Sequence, residues 1–364
     1  MKPGVYINLE EFDYFQADAL GSSDLKKLLR ETVNWWYSSR HNVHFEEVAD
    51  PKHKVLGRAL HALILEGTQA FDGRFAIEPD PRDYPGALKT TAEIREFIEG
   101  MSGEKIPGIS KMTKADLVKY AVNAGYGGRV WDHITAAHTQ DVFQFQKTPI
   151  KANQARALKH MAQLVEDEPT LGPALQQGLC EVSVFWHREG EEDILYRARL
   201  DSVSPHFTLD LKTLSNWKNR SIPDMARRQI EEFEYDIQRR FYDEGRQMMR
   251  KFIDAGEVYC PEGEELEPRT KKVLKEIAAT DHWQWVWLFY QVRDDKAGKA
   301  PVMVPRFHRP EGQVWEQAGL KIEKAIEKYR DFMKRFGPDT PWCHIEPVLE
   351  LEDQDLANLQ YKGV

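Results

Sequence analysis

Arg197-Ala198-Arg199-Leu200-Asp201, then eight residues, then Asp210-Leu211-Lys212: the reading of this stretch decides the fold. Successive side chains of a β-strand point to opposite faces. As a strand, the first segment puts Arg197, Arg199 and Asp201 on one face and Tyr196, Ala198 and Leu200 on the other. The second puts Asp210 and Lys212 on one face, with Leu209 and Leu211 behind them. A short hairpin through residues 204–206 brings Asp201 beside Asp210, so that two carboxylates and an ammonium converge at the edge of an apolar sheet. Period-two alternation extends upstream, predicting three short strands over 181–186, 194–203 and 207–213, separated by turn-like REGEED (188–193) and Ser204-Pro205-His206.

Outward from the strands the pattern turns helical. Ser22 or Ser23 is placed to cap a helix carrying Leu25, Leu28 and Leu29, followed by Trp35, Trp36 and Tyr37. A second helix is predicted over 54–66, stopping at Gly67. Pro79, Pro81 and Pro85 open a loop, and helices near 90–99 and 113–123 form a small insert within residues 100–150 and its approach. A helix over 152–168 ends before Pro169. After the strands come a long helix over 224–252 with Ile230, Phe233, Ile237 and Phe241 on its apolar face, a charged loop over 257–273, a buried strand over 283–293 and an amphipathic helix over 313–336. No internal repeat or low-complexity tract interrupts this order. The expectation is an α/β fold, a central sheet flanked by helices, with the core chemistry in residues 180–293.

Composition narrows the class. Of 364 residues, 41% are hydrophobic and 30% charged, a globular balance. No apolar run is long enough for a transmembrane helix, and the acidic start MKPGVYINLEEF lacks a signal-peptide apolar core, so no membrane is expected and a cytoplasmic location is. Cys180, Cys260 and Cys343 are scattered, which argues against a structural zinc site or an iron–sulfur cluster. The net charge of -9 argues against a protein that coats nucleic acid through overall basicity, but leaves room for a local basic track.

The carboxylate–lysine set has a chemical logic. Carboxylate oxygens are hard ligands suited to Mg²⁺ or Mn²⁺. One or two such ions clamp a scissile phosphate, and a lysine beside them orients water and balances charge. An Asp-x-Lys tripeptide alone is common, so other motifs must decide. Gly57 and His61 share a helix face at i, i+4; the glycine permits a close helix–sheet or helix–DNA approach and the histidine offers a nitrogen ligand. Gln238 and Tyr242 lie one turn apart, with Tyr235 three residues before Gln238. Glu181 opens the first strand and can join the acidic group directly or support it.

In this order, GxxxH on a helix, RxRxD on a strand, DxK on the next and QxxxY on the following helix resemble the RecB-like branch of the PD-(D/E)xK nuclease superfamily. More narrowly, SSDLKKLL (22–29), VLGRALHALILEG (55–67), EVSVFW (181–186), RARLD (197–201), LDLKT (209–213), YDIQRRFY (235–242) and the late aromatic strand resemble the RecE-like exodeoxyribonuclease VIII C-terminal nuclease, over roughly residues 20–345. The resemblance implies a restriction-endonuclease-like core with a mixed sheet, and a single elaborated nuclease domain over 1–364 in which residues 20–70 carry GxxxH. It implies two Mg²⁺ or Mn²⁺ ions held by Asp201 and Asp210, with His61 and Leu211 in the metal set and Lys212 at the water. Gln238 and Tyr242 would support the site and the phosphate. It further implies digestion of linear double-stranded DNA from 5′ ends to leave 3′ single strands, a single-strand annealing partner, a ring-shaped homo-oligomer and a bacterial or phage-encoded source.

DNA-facing candidates are Arg197, Arg199, Arg239 and Tyr235, with Arg227, Arg228, Arg240, Arg246 and Arg250 along the long helix and Lys218 and Arg220 before it; interleaved Glu231, Glu232 and Glu234 leave open that this is a solvated face. Trp35 and Trp36 are either wedges between terminal bases or core. The insert lysines Lys111, Lys114 and Lys119 are either DNA-facing or solvated, and the acidic stretch 254–280 is expected to point outward. Two other readings stay open: an endonuclease or repair nuclease of the same superfamily, and a non-catalytic DNA-end-binding protein.

Overall fold

The computed structural model describes residues 1–45, 52–102, 106–214, 220–291 and 302–344. Its strands are β1 (Gly4–Tyr6), β2 (Phe75–Ile77), β3 (Thr148–Ile150), β4 (Leu179–Arg188), β5 (Glu191–Val203), β6 (Phe207–Thr213), β7 (Val258–Tyr259), β8 (Gln284–Gln291) and β9 (Val302–His308). Seven of them form one mixed sheet in the order β7-β1-β4-β5-β6-β8-β9. The hairpins β4–β5 and β5–β6 are antiparallel, and β8 runs parallel to β6. β2 and β3 form a separate parallel pair.

Alternation decides which helices cover which face. Val182, Val184 and Trp186 of β4 and Tyr196, Ala198 and Leu200 of β5 are buried against the helices Ser22–Arg30, Tyr235–Ala255, Pro268–Ala278 and Gln313–Phe336. Leu209 and Leu211 of β6, with Leu288 and Tyr290 of β8, pack on the helices Lys52–His61 and Ala152–Glu166. Trp285, Trp287 and Phe289 fill the other side of β8, so that strand is apolar on both faces, as its continuous aromatic run predicts. The carboxylates of β5 and β6 therefore lie at the centre of the sheet, not at its edge as expected.

The helix carrying His61 passes into a π-helical turn, Ala62–Glu66, and stops at Gly67, whose φ of +86 suits glycine alone. The insert helices Thr91–Ser102 and Lys114–Asn123 surround a small core of Ile94, Ile98, Leu117 and Ala121. Lys114 is paired with Asp132 at 2.9 Å, while Lys111 and Lys119 are exposed.

Several expectations change. The predicted long helix is two, Ile222–Glu232 and Tyr235–Ala255, because Glu234 adopts a left-handed conformation with φ +51. The charged segment 257–273 contains β7 and the start of the helix Pro268–Ala278, whose proline suits a first helical position. Within the acidic stretch, Val273, Leu274 and Ile277 turn inward to the core. β1, β9 and the helices Trp131–Gln144 and Leu171–Gln177 carry no signal picked out above. Trp35 and Trp36 are core: Trp35 packs on Tyr329 and Trp342, and the Trp36 ring N–H donates to the Pro338 carbonyl at 2.7 Å. Among the described residues, no helix is long and apolar enough to cross a membrane.

Candidate active site

β4 and β5 place two carboxylates opposite each other. The register Cys180↔Ser202 and Val182↔Leu200 sets Glu181 across from Asp201. Glu181 has φ +54 near the start of β4, a conformation that costs a non-glycine residue on the order of 1 kcal/mol. From there its carboxylate oxygen lies 3.0 Å from His61 Nδ1, and Asp201 Oδ2 lies 3.1 Å from His61 Nε2. His61 ends its α-helix immediately before the π-helical turn, a local irregularity common at functional sites. Gly57, one turn earlier, has its missing Cβ 3.3 Å from Thr213 Oγ1, so its helix can lie close on β6. Tyr290 reinforces this by donating its hydroxyl to the Gly57 carbonyl at 3.2 Å.

The second half of the site belongs to β6. The β5–β6 ladder is made by Ser202↔Leu209 and Val203↔Thr208; beyond it, Asp201 Oδ2 accepts the Leu211 N–H at 2.7 Å. A side chain thus takes over where the strands part. Lys212 Nζ is 2.6 Å from Asp210 Oδ2, and Gln238 donates its amide to Asp210 Oδ1 at 2.8 Å. The Tyr235 ring centroid is 4.9 Å from Lys212 Nζ. Tyr242 is half-buried, held by Ser22 and by an edge-on contact with Trp285. Ser22 therefore serves Tyr242 rather than the helix cap; the cap contact is Gly21 N–H to Asp24 at 2.8 Å.

Charge is arranged for a cation. His61 is partly buried, and the desolvation disfavours its charge, yet Asp201 and Glu181 raise its pKa to about 10. Burial pushes Asp210 above the usual carboxylate range; Lys212 opposes this and Asp201 adds to it. Desolvation also pushes the partly buried Asp201 upward, but His61, Lys212 and the Leu211 N–H together hold it below that range. Lys212 stays charged, since Asp210 and Asp201 outweigh its burial. With Glu181, three carboxylates face Lys212 and a protonated His61, and an ion that takes a His61 nitrogen displaces its proton. Donor atoms of His61, Glu181 and Asp201 all lie within 4.8 Å of one another, the spacing of ligands around one ion. Two oxygens and a nitrogen suit Mn²⁺ as well as Mg²⁺. Leu211 offers this cluster main-chain atoms only: its aliphatic side chain is buried and its N–H is taken by Asp201.

The cluster opens into a cleft of about 2210 Å³, lined among others by His61, Glu181, Asp201, Leu211 and Tyr242. Arg58, Lys159 and Arg269 line the same cleft; Arg58 stands within GRALH, where its place three residues before His61 is the signal that marks it.

Three expected DNA contacts are spent elsewhere. Arg239 is fully buried, paired with Asp243 at 2.9 Å between the rings of Trp285 and Trp315. Arg197 donates to the carbonyls of Tyr14, Phe15 and Ala17. Arg199 donates to Ser183 Oγ and the Leu9 carbonyl, although it also reaches the cleft wall. The two strand arginines tie the N-terminal segment to the sheet. Of the other helix arginines, Arg246 clasps the β5–β6 hairpin, Arg250 holds Ala278 and Asp281, and Arg240 stacks on Trp315, whereas Arg227, paired with Asp224, and Arg228 are exposed. Lys218 lies outside the described residues.

No curated protein matches the chain. A family profile, described as a PDDEXK-like domain of unknown function (DUF3799), matches residues 22–255, well over half of the chain and every residue of the cluster. Such domains are usually nucleases that act on DNA with divalent metals, and Asp201 with Asp210-Leu211-Lys212 supplies the aspartate and the DxK of the pattern. By sequence match, mixed α/β fold and gathered carboxylate–lysine site, the chain belongs to this PDDEXK-like family.

Proposed function

We propose that this chain is a metal-dependent exodeoxyribonuclease that digests linear double-stranded DNA from 5′ ends and leaves 3′ single strands for recombination. The observation that carries hydrolysis is the convergence of His61, Glu181 and Asp201 on one ion-sized space beside the Lys212–Asp210 pair. The resemblance of the ordered motifs to RecE-like nucleases supports the 5′ polarity, a ring of identical subunits, an annealing partner and a cytoplasmic site of action. It likewise supports treating residues 1–364 as one elaborated nuclease domain.

His61, Glu181 and Asp201 would hold one Mg²⁺ or Mn²⁺ ion, with Asp210 and the Leu211 main chain serving a second. Bound there, such ions supply charge neutralisation at the scissile phosphate and a lowered pKa for water. The protein's own residues do the rest. Asp210 and the Tyr235 ring hold the Lys212 ammonium, which orients the attacking water. Gln238 fixes the Asp210 carboxylate, leaving its other oxygen to Lys212. Tyr242, its proton firmly retained by burial, donates a hydrogen bond to the phosphate from the cleft wall.

The test is digestion of linear duplex DNA labelled separately at each 5′ and 3′ end, with Mg²⁺ or Mn²⁺, beside a closed circle and a Lys212→Ala protein. Early loss of 5′ label, an intact circle and a variant slowed at least about 10³-fold are expected. A cut circle means an endonuclease. Binding without cleavage under either metal means a non-catalytic end-binding protein.

A further inference from the structure

Two cations of the helix Ser22–Arg30 converge on the break between the two helices that follow β6. Lys26 and Arg30 lie one turn apart on one face. Lys26 Nζ donates to the Phe233 carbonyl at 3.0 Å. Arg30 donates from Nη2 to the Glu232 carbonyl at 3.1 Å and from Nε to the Glu234 carboxylate at 3.0 Å. These carbonyls end the helix Ile222–Glu232, where main-chain acceptors are left over and a cation is favoured. Between them and the next helix stands Glu234, left-handed at φ +51 and ψ +50.

That break sets the start of the helix that touches the site. Tyr235 is its first residue, and its ring lies 4.9 Å from Lys212 Nζ and 5.5 Å from Lys26 Nζ. Gln238, one turn on, holds Asp210. A glutamate persists in the left-handed region only when its surroundings over-determine it. Here the surroundings are the carbonyl contacts and the ion pair from Lys26 and Arg30.

We propose that Lys26 and Arg30 are positioning residues for the hydrolytic step: by clamping residues 232–234 they fix Tyr235 against Lys212 and Gln238 against Asp210. Their hydrogen bonds go to the turn and not to His61, Glu181 or Asp201. Their effect passes through the turn to the Lys212 ammonium. The role in hydrolysis rests on the nuclease reading above, whereas the clamp is a property of the folded protein and has a readout without DNA.

The experiment compares wild type, Lys26→Ala, Arg30→Ala, the double variant and Lys26→Arg. Lys27→Ala, whose ammonium reaches Ser38 instead, is the control. Three things are measured: cleavage rate at saturating and limiting DNA, Mn²⁺ affinity, and the rate of Lys212 acetylation by peptide mass spectrometry. In the double variant kcat falls roughly tenfold or more, a loss expected of a reacting group displaced by about 1 Å. KM and the Mn²⁺ affinity of the His61–Glu181–Asp201 set stay within about twofold, because those three side chains come from the helix Lys52–His61 and from β4 and β5 rather than from the turn. Lys212 acetylation rises several-fold, and Lys26→Arg and Lys27→Ala stay near wild type. The proposal is overturned if kcat and Lys212 labelling both stay at the wild-type level. It is equally overturned if Mn²⁺ affinity and melting temperature drop in step with kcat, which would show general loosening. If wild type cleaves no DNA yet Lys212 labelling responds, the nuclease reading fails and the clamp stands.

Discussion

Glu181 sits in backbone strain at the mouth of the cleft, and its carboxylate, 3.0 Å from His61, is what that strain positions. Glycine at 181 would relieve the left-handed conformation and remove the ligand together. In the metal-free protein, relief of strain and loss of the ion pair oppose each other, so Glu181→Gly is expected to unfold within about 1 kcal/mol of wild type. Its Mn²⁺ affinity should fall roughly tenfold or more. Urea denaturation and Mn²⁺ titration read the two effects separately; unchanged affinity would remove Glu181 from the ligand set. At this scale strand alternation and spacing put Asp201, Asp210 and Lys212 on facing strands, and the accompanying motifs singled them out from a common tripeptide. The strained backbone of Glu181 was not legible, since φ depends on neighbours that a single sequence does not display.

The hairpin that brings β5 to β6 is closed by Ser204, whose Oγ accepts the Phe207 N–H at 3.1 Å, and is clasped by an arginine. Arg246, 1% exposed, donates to the carbonyls of Ser204, Pro205 and Phe207 and to Thr208 Oγ1. Methionine at 246 fills similar volume but orphans these acceptors, and the expected loss is about 3 kcal/mol in chemical denaturation. Cleavage should weaken too, because Asp201 and Asp210 flank that hairpin. A change under about 1 kcal/mol would mean that water replaces the guanidinium. From sequence this arginine looked like part of a DNA-facing stripe. Helical spacing places it on a face, but which face meets solvent depends on the elements that pack there. The split of the long helix at Glu234 escaped notice for a related reason: no proline or glycine marks it, and the contacts that impose it come from residues about 200 positions away.

Across the whole molecule, the candidate metal centre joins layers. His61 comes from the helix Lys52–His61 on one side of the sheet, while Glu181 and Asp201 come from the adjacent strands β4 and β5. An ion held by all three exists only in the folded state, so binding must stabilise the fold. At about 100 times its dissociation constant, Mn²⁺ should add about 2.7 kcal/mol, seen as a rise in melting temperature. His61→Ala should lose most of that rise while still folding. An equal rise in the variant would exclude His61 as a ligand.

By itself, the sequence determined the mixed α/β class, the strand positions of Asp201, Asp210 and Lys212, the helical pairing of Gly57 with His61 and of Gln238 with Tyr242, and a set of side chains suited to a divalent metal. Period and spacing are local properties of a chain, and residue type sets ligand chemistry, so both can be read without coordinates. Only the tertiary structure decided that the carboxylates lie at the centre of the sheet, that Glu181 stands opposite Asp201, that Arg239 is buried and that Arg197 and Arg199 tie the N-terminal segment to the sheet. Those are long-range outcomes: buried charges are satisfied by whatever partners the packing supplies, and the identity of those partners is not a property of any one segment.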